Sequence, residues 1–576
     1  MDRPVAPVVI QQWPDSGEIV HKVPTAVTYR AGRLHTCTWG FGCFSPKNCG
    51  YGLGVIEYFK YFLDKGKFER YVKDNPGFAP DIGDVRRWFV DFLRALHDYI
   101  AAYLERPPWQ LDRLATKVEF VIGLPTLWKE RDELICDFKN IVEQAGFKPG
   151  ANCDVIFRLT EAEASAVYTA KSLGRDYREG DVILVCDAGG GTTDVCVLRV
   201  RAVGGGVVEL EALDEPRALY AGSIQIDNAF EKYAVESLVA IRLEHRQLPD
   251  YTERDMARSK PFQDAKLAFG TSTSVAVESI PVPGLSNVAI KLPQEKLKEM
   301  FDGQLQKIIE VIDTVLKIVE GTEVRYLVLA GGLGSSRYVQ KEMEVFYNQR
   351  GISVLYSTDP IEPSLAGCKG LVIDHMQRKD YHTAVITNRP AGTSFGILCS
   401  DRYNKARHSG QPYIESQLDS KKYVTNRIEW FIRKGGTLPK DRPIAIRCFR
   451  VLALDNLNKT WAARLVRSGP EQQGFPGYLH PDDGEVQIFG QVSSDLGPGP
   501  DITRKLGGVL SSKCIYVEYE ILVSIKQENL DFKARVVGDG TSAPQQLVMQ
   551  YFEDRQSKDA KDGNSRFQNE IFRHLK

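Results

Sequence analysis

VILVCDAGGGTTDVCV, residues 182–197, decides how the rest of the chain is read. Val182 to Val185 has the length and β-branched content of a buried strand. Asp187 follows, then Gly189, Gly190 and Gly191, then Thr192, Thr193 and Asp194, and a second apolar run begins at Val195. The pattern predicts a strand, a tight glycine turn and a returning strand. Adjacent glycines let a backbone approach a ligand, and successive N–H groups in such a turn form an anion-binding concavity. Asp187 and Asp194, one on each side of the turn, are placed to hold a hydrated Mg²⁺ beside that anion. Acids on both sides with two hydroxyls between them favour a phosphate site over a plain hairpin.

Working outward, the flanks alternate between strand and helix. Lys117 to Leu124 and Asp154 to Leu159 are expected strands, and the segments 129–145 and 161–170 expected helices. Downstream, Ile226 to Glu244, Asp255 to Phe269 and Gln294 to Val319 carry helical apolar spacing. Tyr326 to Ala330 is an expected buried strand, ending in Gly331-Gly332-Leu333-Gly334-Ser335-Ser336-Arg337 and a helix from Tyr338. A helix that starts at a glycine turn points free N–H groups at whatever binds there. Two such turns in one chain predict two halves closing on one nucleotide. Nearer the N-terminus, Val8 to Ile10 and His21 to Tyr29 are expected strands, and 55–63 and 84–104 expected helices.

The texture changes after about Lys379, where short alternating runs appear at 423–431, 443–452, 485–491 and 515–525. Turn clusters separate them, clearest at Gly497-Pro498-Gly499-Pro500, and the charged stretch 552–576 closes the chain as a solvated helix or a tail. The expected layout is therefore an α/β domain over 1–378 and a β-rich domain over 379–576.

Composition limits the class. The 576 residues suffice for two or more domains, and 43% hydrophobic with 26% charged residues is soluble globular composition. Lys plus Arg number 74 against 75 Asp plus Glu, a net charge of −1, so nucleic acid and anionic membranes are not the expected partners. No apolar run approaches a membrane span and no signal-peptide pattern occurs, which predicts a cytoplasmic protein. The 11 cysteines are scattered, with Cys186 and Cys196 inside apolar strands, and are expected to be reduced and buried. Cys37, Cys43 and Cys49 lack the CxxC spacing or partner histidine of a metal site.

CDAGGGTTDV followed far downstream by LAGGLGSSRYV resembles the actin-like ATPase fold shared by actin, sugar kinases and seventy-kilodalton heat-shock proteins. FVIGLPTLWKERDEL, RLTEAEASAVY and IEWFIRKGG are similar to segments of the heat-shock branch, the last to its divergent fungal-type relatives. The resemblance implies an α/β two-lobed ATPase domain that binds ATP or ADP with Mg²⁺. Asp187 would lie beside the metal and its waters, and Gly189, Gly190, Gly191 and Thr192 would contact the β- and γ-phosphates. Asp194 would stand behind the metal, while Glu161 would orient metal and attacking water. Gly331, Gly332 and Arg337 would line the adenosine side, where Lys266 also contacts the nucleoside. Polypeptide clients or co-chaperones would be the partners.

Departures from the family pattern qualify this reading. No DxGT-like phosphate turn occurs in the first 60 residues, which predicts an N-terminally truncated nucleotide-binding domain. The family's catalytic lysine has only Lys47 as a nearby counterpart, and Leu267 stands where an adenine-stacking arginine is frequent. Ala162 replaces the proline that the chaperones use as an interdomain switch. Three functions follow: a slow ATPase of chaperone-like type, a nucleotide-dependent scaffold that does not hydrolyse, and, less supported, a small-molecule kinase of the same fold.

Overall fold

Strand Val182–Ala188 is apolar at every position but one, and its side chains alternate between two apolar clusters. Val182, Leu184, Cys186 and Ala188 enter one cluster, while Ile183 and Val185 enter another. A strand buried on both faces needs helices on both sides of its sheet, and this chain supplies them. The computed structural model describes residues 7–30, 33–45, 54–74, 80–112, 115–128, 131–172, 177–249, 251–359, 361–391, 393–417, 419–436, 443–453, 461–468, 475–480, 486–494, 514–526, 529–536 and 545–551. Lys47, the Gly497–Pro500 turn and the tail 552–576 lie outside the described residues. Two compact units are present, Met1–Thr387 and Asn388–Lys576.

The first unit begins with strands β1 (Ala26–Arg30), β2 (Arg33–Trp39) and β3 (Ile56–Glu57), which form an antiparallel sheet in the order β2-β1-β3. Helices α1 (Phe59–Phe62), α2 (Lys65–Asp74) and α3 (Ile82–Glu105) follow, then β4 (Val118–Leu124), α4 (Asp132–Gln144) and β5 (Cys153–Thr160). β4 and β5 pair in parallel as a separate two-stranded sheet. Asp81 and Asp84 start α3 with a reciprocal capping box. These elements share an aromatic-rich core of Phe59, Trp88, Phe89, Phe92, Trp128 and Phe138.

Next come α5 (Glu161–Ser172), β6 (Val182–Ala188), β7 (Thr193–Gly204), β8 (Val207–Ala212), β9 (Arg217–Leu219), α6 (Ser223–Glu244), α7 (Thr252–Arg258) and α8 (Lys260–Ala268). A hairpin of β10 (Val277–Pro281) and β11 (Ala289–Pro293) leads to the long helix α9 (Gln294–Ile318). β12 (Tyr326–Ala330), α10 (Gly331–Gly334), α11 (Arg337–Asn348), β13 (Ser353–Tyr356), α12 (Glu362–Tyr381) and β14 (Ile386–Asn388) complete the run. The main sheet is ordered β13-β12-β6-β7-β8-β14, with β9 beside β7. β13, β12 and β6 are mutually parallel, whereas β6, β7 and β8 meander antiparallel. One face packs on α6, α8, α9 and α11, and the other on α5 and α12.

Some elements differ from the sequence expectation. Residues 8–10 are irregular rather than a strand. The expected helix over 55–63 divides into β3 and the single turn of α1, with Tyr58 between them at φ +62°. The expected helix 255–269 is two helices that meet at Ser259. Pro261 in the first turn of α8 lacks the N–H that a continuous helix would require there, so the helix restarts.

In the second unit the described strands form two sheets. β15 (Phe395–Arg402), β16 (Ile414–Glu415), β17 (Lys422–Ile432), β19 (Trp461–Ser468), β20 (Val486–Ser494) and β24 (Val548–Tyr551) make one; β18 (Ile444–Ala453), β21 (Cys514–Lys526), β22 (Asn529–Val536) and β23 (Gln545–Gln546) make the other. Alternate side chains of both sheets, among them Ile397, Leu465, Ile521 and Phe532, meet in a common core. Among the described residues no helix is long and apolar enough to cross a membrane.

Candidate nucleotide site

The register of the β6–β7 hairpin sets the geometry. Asp187 and Asp194 are direct cross-strand partners, and Ala188 faces Thr193. Like charges directly opposite one another oppose sheet formation, so this pairing asks for an outside counter-charge. Gly189 to Thr192 close the hairpin, with the Gly189 N–H donating to the Thr192 carbonyl at 2.9 Å. The first residues of α6 tie the turn from behind: the Ser223 N–H donates to the Gly189 carbonyl at 3.2 Å and the Ile224 N–H to that of Gly190 at 2.8 Å. The N–H groups of Gly190 and Gly191 meet no acceptor among the described residues. That is the arrangement an anion needs.

β12 runs parallel to β6 and its Ala330 registers with Asp187, so the second glycine turn opens at the same sheet edge. Ligands of open α/β sheets bind outside the carboxyl ends of such parallel strands. On the other side Glu161, the first residue of α5, forms an ion pair with Lys60 of α1 at 2.7 Å. The Ser165 hydroxyl, one turn further along α5, donates to Asp187. Thr126 supports the same corner, hydrogen-bonding to Asp194 and accepting from the Ala162 N–H at 3.3 Å.

The electrostatics follow from crowding. Burial pushes the Asp187 carboxyl up to about 6, opposed by the Ser165 hydrogen bond and reinforced by Glu161. Burial also raises Asp194 well above the usual carboxylate range, with the charges of Glu161 and Asp187 adding to the effect. Three acids thus share a corner that Lys60 neutralises only in part.

The residues expected on an adenosine side are placed as follows. Lys266 on α8 is buried and bonded to Asp227 of α6 at 2.5 Å, while its neighbour Leu267 is 73% exposed. The end of α8 packs on the start of α11 through Phe269 and Tyr338, whose rings are 4.7 Å apart. Arg337 is exposed and donates to Gln340 at 3.1 Å, and the buried Ser336 hydroxyl has no partner among the described residues. The structure therefore brings Asp187, Asp194, Glu161, Gly189–Thr192 and Gly331 together at one corner. Lys266 is instead held back by Asp227.

Sequence reasoning missed Lys60, Ser165 and Thr126. Lys47 lies outside the described residues; Lys60 pairs with Glu161, and the charge of Lys22 also acts on Asp187. The available signal was a single cation inside the aromatic run Tyr58-Phe59-Lys60-Tyr61-Phe62, where core spacing alone gives it no task.

Parts of the chain are similar to known proteins. Residues 156–357 match the family described as Hsp70 protein, so the chain carries an Hsp70 family domain, and with it the actin-like ATPase fold. Residues 389–480 match a separate family described only as a domain of unknown function, DUF8568. The chain is 28% identical over 225 residues to the chaperone protein DnaK of Methanothermobacter thermautotrophicus, covering 37% of this chain and 34% of that protein. It is 22% identical over 284 residues to heat shock 70 kDa protein 12A of Mus musculus, and 22% over 287 residues to heat shock 70 kDa protein 12B of Homo sapiens. Each of those two alignments covers 45% of this chain and 40% of the relative. The chain thus spans between a third and two fifths of the length of these curated relatives.

Proposed function

We propose that the first unit binds ATP with Mg²⁺ between its two glycine turns and hydrolyses it slowly, as the nucleotide-driven part of a chaperone-like protein. The observation that carries this reading is the Lys60–Glu161 ion pair beside the cross-strand acids Asp187 and Asp194 and the open N–H groups of Gly190 and Gly191. The donor set suits Mg²⁺. Among the described residues no three His, Cys, Asp or Glu side chains are grouped to hold an ion by themselves. Mg²⁺ is commonly held through one or two carboxylates together with substrate phosphates and water. Asp187 is the direct candidate ligand, with Asp194 behind it. Bound with the nucleotide, Mg²⁺ would supply neutralisation of phosphate charge.

Everything else is positioning and electrostatics by the chain itself. The N–H groups of Gly190 and Gly191 and the Thr192 hydroxyl hold the β- and γ-phosphates in the turn. Glu161 accepts a hydrogen bond from the attacking water and aligns it with the terminal phosphorus. Lys60 holds Glu161 in place, and its ammonium offsets the negative charge that develops on the phosphoryl oxygens. On the nucleoside side the exposed Arg337 and Leu267 are available to the base. Both glycine turns open from adjacent parallel strands of one sheet, rather than from the two halves expected from the sequence, so closure over the nucleotide would come from the Lys60 side and would carry nucleotide state towards polypeptide clients or co-chaperones.

The test is release of phosphate from ATP by the purified full chain, with and without Mg²⁺. Turnover that requires Mg²⁺ and disappears in Asp187→Ala and Glu161→Ala supports hydrolysis. Tight Mg²⁺-dependent ATP binding without turnover selects the scaffold reading, and absence of binding refutes both.

A further inference from the structure

Tyr61, which follows Lys60 on α1, touches the phosphate turn and has no part in the reading above. A β-carbon built on Gly191 would stand 1.6 Å from the Tyr61 hydroxyl oxygen and 2.8 Å from its Cζ. The third glycine of the turn is therefore a glycine because the tyrosine hydroxyl rests against its Cα. The acids whose charge the hydroxyl feels are Glu161 and Asp194, which places it at the terminal-phosphate end of the site rather than the adenosine end. Among the described residues it has no hydrogen-bond partner. Burial, followed by those neighbouring charges, raises Tyr61 above its ordinary value, so it remains an O–H donor throughout the neutral range.

The ring is fixed from two directions. Its own helix anchors it between Phe59 and Phe62, both buried in the aromatic core. From the opposite wall Tyr220 packs on it with ring centroids 5.7 Å apart, and the Lys67 ammonium lies over the Tyr220 ring. A donor that is held rigidly, lacks an acceptor and faces a turn with open N–H groups is complementary to an anionic oxygen.

We propose that Tyr61 is a ligand-contacting residue that donates its hydroxyl to the terminal phosphate of a bound nucleoside triphosphate, so that the site distinguishes triphosphate from diphosphate through this one hydrogen bond. The proposal rests on the nucleotide-binding reading of the same turn. It adds a contact from α1 that the glycine turns do not supply. A diphosphate, ending one phosphoryl group short, leaves the hydroxyl unengaged.

Calorimetric binding of ATP and ADP, each with Mg²⁺, to the full-length wild type, Tyr61→Phe and Tyr61→Ala tests it. Tyr61→Phe keeps the ring and its packing, so the fold is retained. The expected result is an ATP affinity lowered about tenfold or more, as for loss of a hydrogen bond to a charged group, and an ADP affinity changed by less than about twofold. Equal loss for both nucleotides, or no change for either, overturns the proposal while leaving nucleotide binding intact. Tighter ATP binding by Tyr61→Ala also overturns it, because the ring would then be occupying the phosphate's place. Failure of the wild type to bind either nucleotide would defeat the underlying reading as well.

Discussion

Gly331 lies against Asp187: a β-carbon at position 331 would stand 2.4 Å from the carboxylate Oδ1 and 2.3 Å from the Ala188 carbonyl oxygen. The residue also has φ +80°, a conformation costly for a side chain. The second glycine turn is thus built onto the first.

Gly331→Ala should force these two turns apart. The strained φ alone costs about 1 kcal/mol or more, and the clash is with backbone and with a carboxylate held by the Ser165 hydroxyl. Loss of nucleotide binding together with a lowered thermal midpoint is the expected outcome. Gly303→Ala, inside helix α9 with open space at its β-carbon and outside the site, serves as the control and should bind normally. Parallel melts and nucleotide titrations of both variants check this.

Lys60 and Glu161 should separate stability from catalysis. Their side chains are 42% and 39% exposed, and exposed ion pairs contribute about 0–1 kcal/mol. Lys60→Ala should therefore leave the thermal midpoint nearly unchanged while lowering Mg²⁺-dependent phosphate release by a factor on the order of 10²–10³, the usual effect of removing a charge-stabilising donor. A Lys60→Ala enzyme with wild-type turnover would remove this residue from the site.

Asp187 should trade stability for function. Its carboxyl is raised to about 6 in the fold, above the unfolded value near 4. The folded protein therefore holds the proton more tightly than the unfolded chain, and ionisation of Asp187 opposes folding above about pH 6. That penalty diminishes as pH falls from 6 towards 4. Asp187→Asn removes the charge and retains an acceptor for Ser165. Without nucleotide it should melt higher than wild type at pH 7.5, with the difference shrinking towards pH 4.5, and it should lose Mg²⁺-dependent binding. Melting curves across this range settle the sign.

Leu267 should be improvable. It is an exposed aliphatic group, and in the proposed nucleotide site it stands where a guanidinium could stack on the base. Such a contact contributes about 0.5–1 kcal/mol at exposed sites, so Leu267→Arg should tighten adenosine nucleotides by about two- to fivefold. Competition binding with ADP gives the measurement.

How much of this was legible beforehand depended on the range of the signal. β6, its glycine turn and β7 were readable because the apolar run, the turn residues and the flanking acids are contiguous. The same holds for β12 and α11. Lys60 was not, because its role depends on a contact with Glu161, 101 residues away in sequence, which local spacing does not report. Nor could the sequence reveal that Lys266 is claimed by Asp227, since both residues sit on ordinary helical faces. The break between α7 and α8 was available in Pro261, but continuous apolar periodicity on both sides concealed it.

The two hydrogen bonds from Ser223 and Ile224 to the glycine turn make α6 more than a backing element. The helix is 22 residues long, about 33 Å at 1.5 Å per residue, and rigid over that span. Near its far end Arg242 grips Glu253 of α7 through paired hydrogen bonds of 2.7 and 2.9 Å. The glycine turn and the α6–α7 corner are thus the two fixed ends of one rod, and neither can shift along its axis without the other.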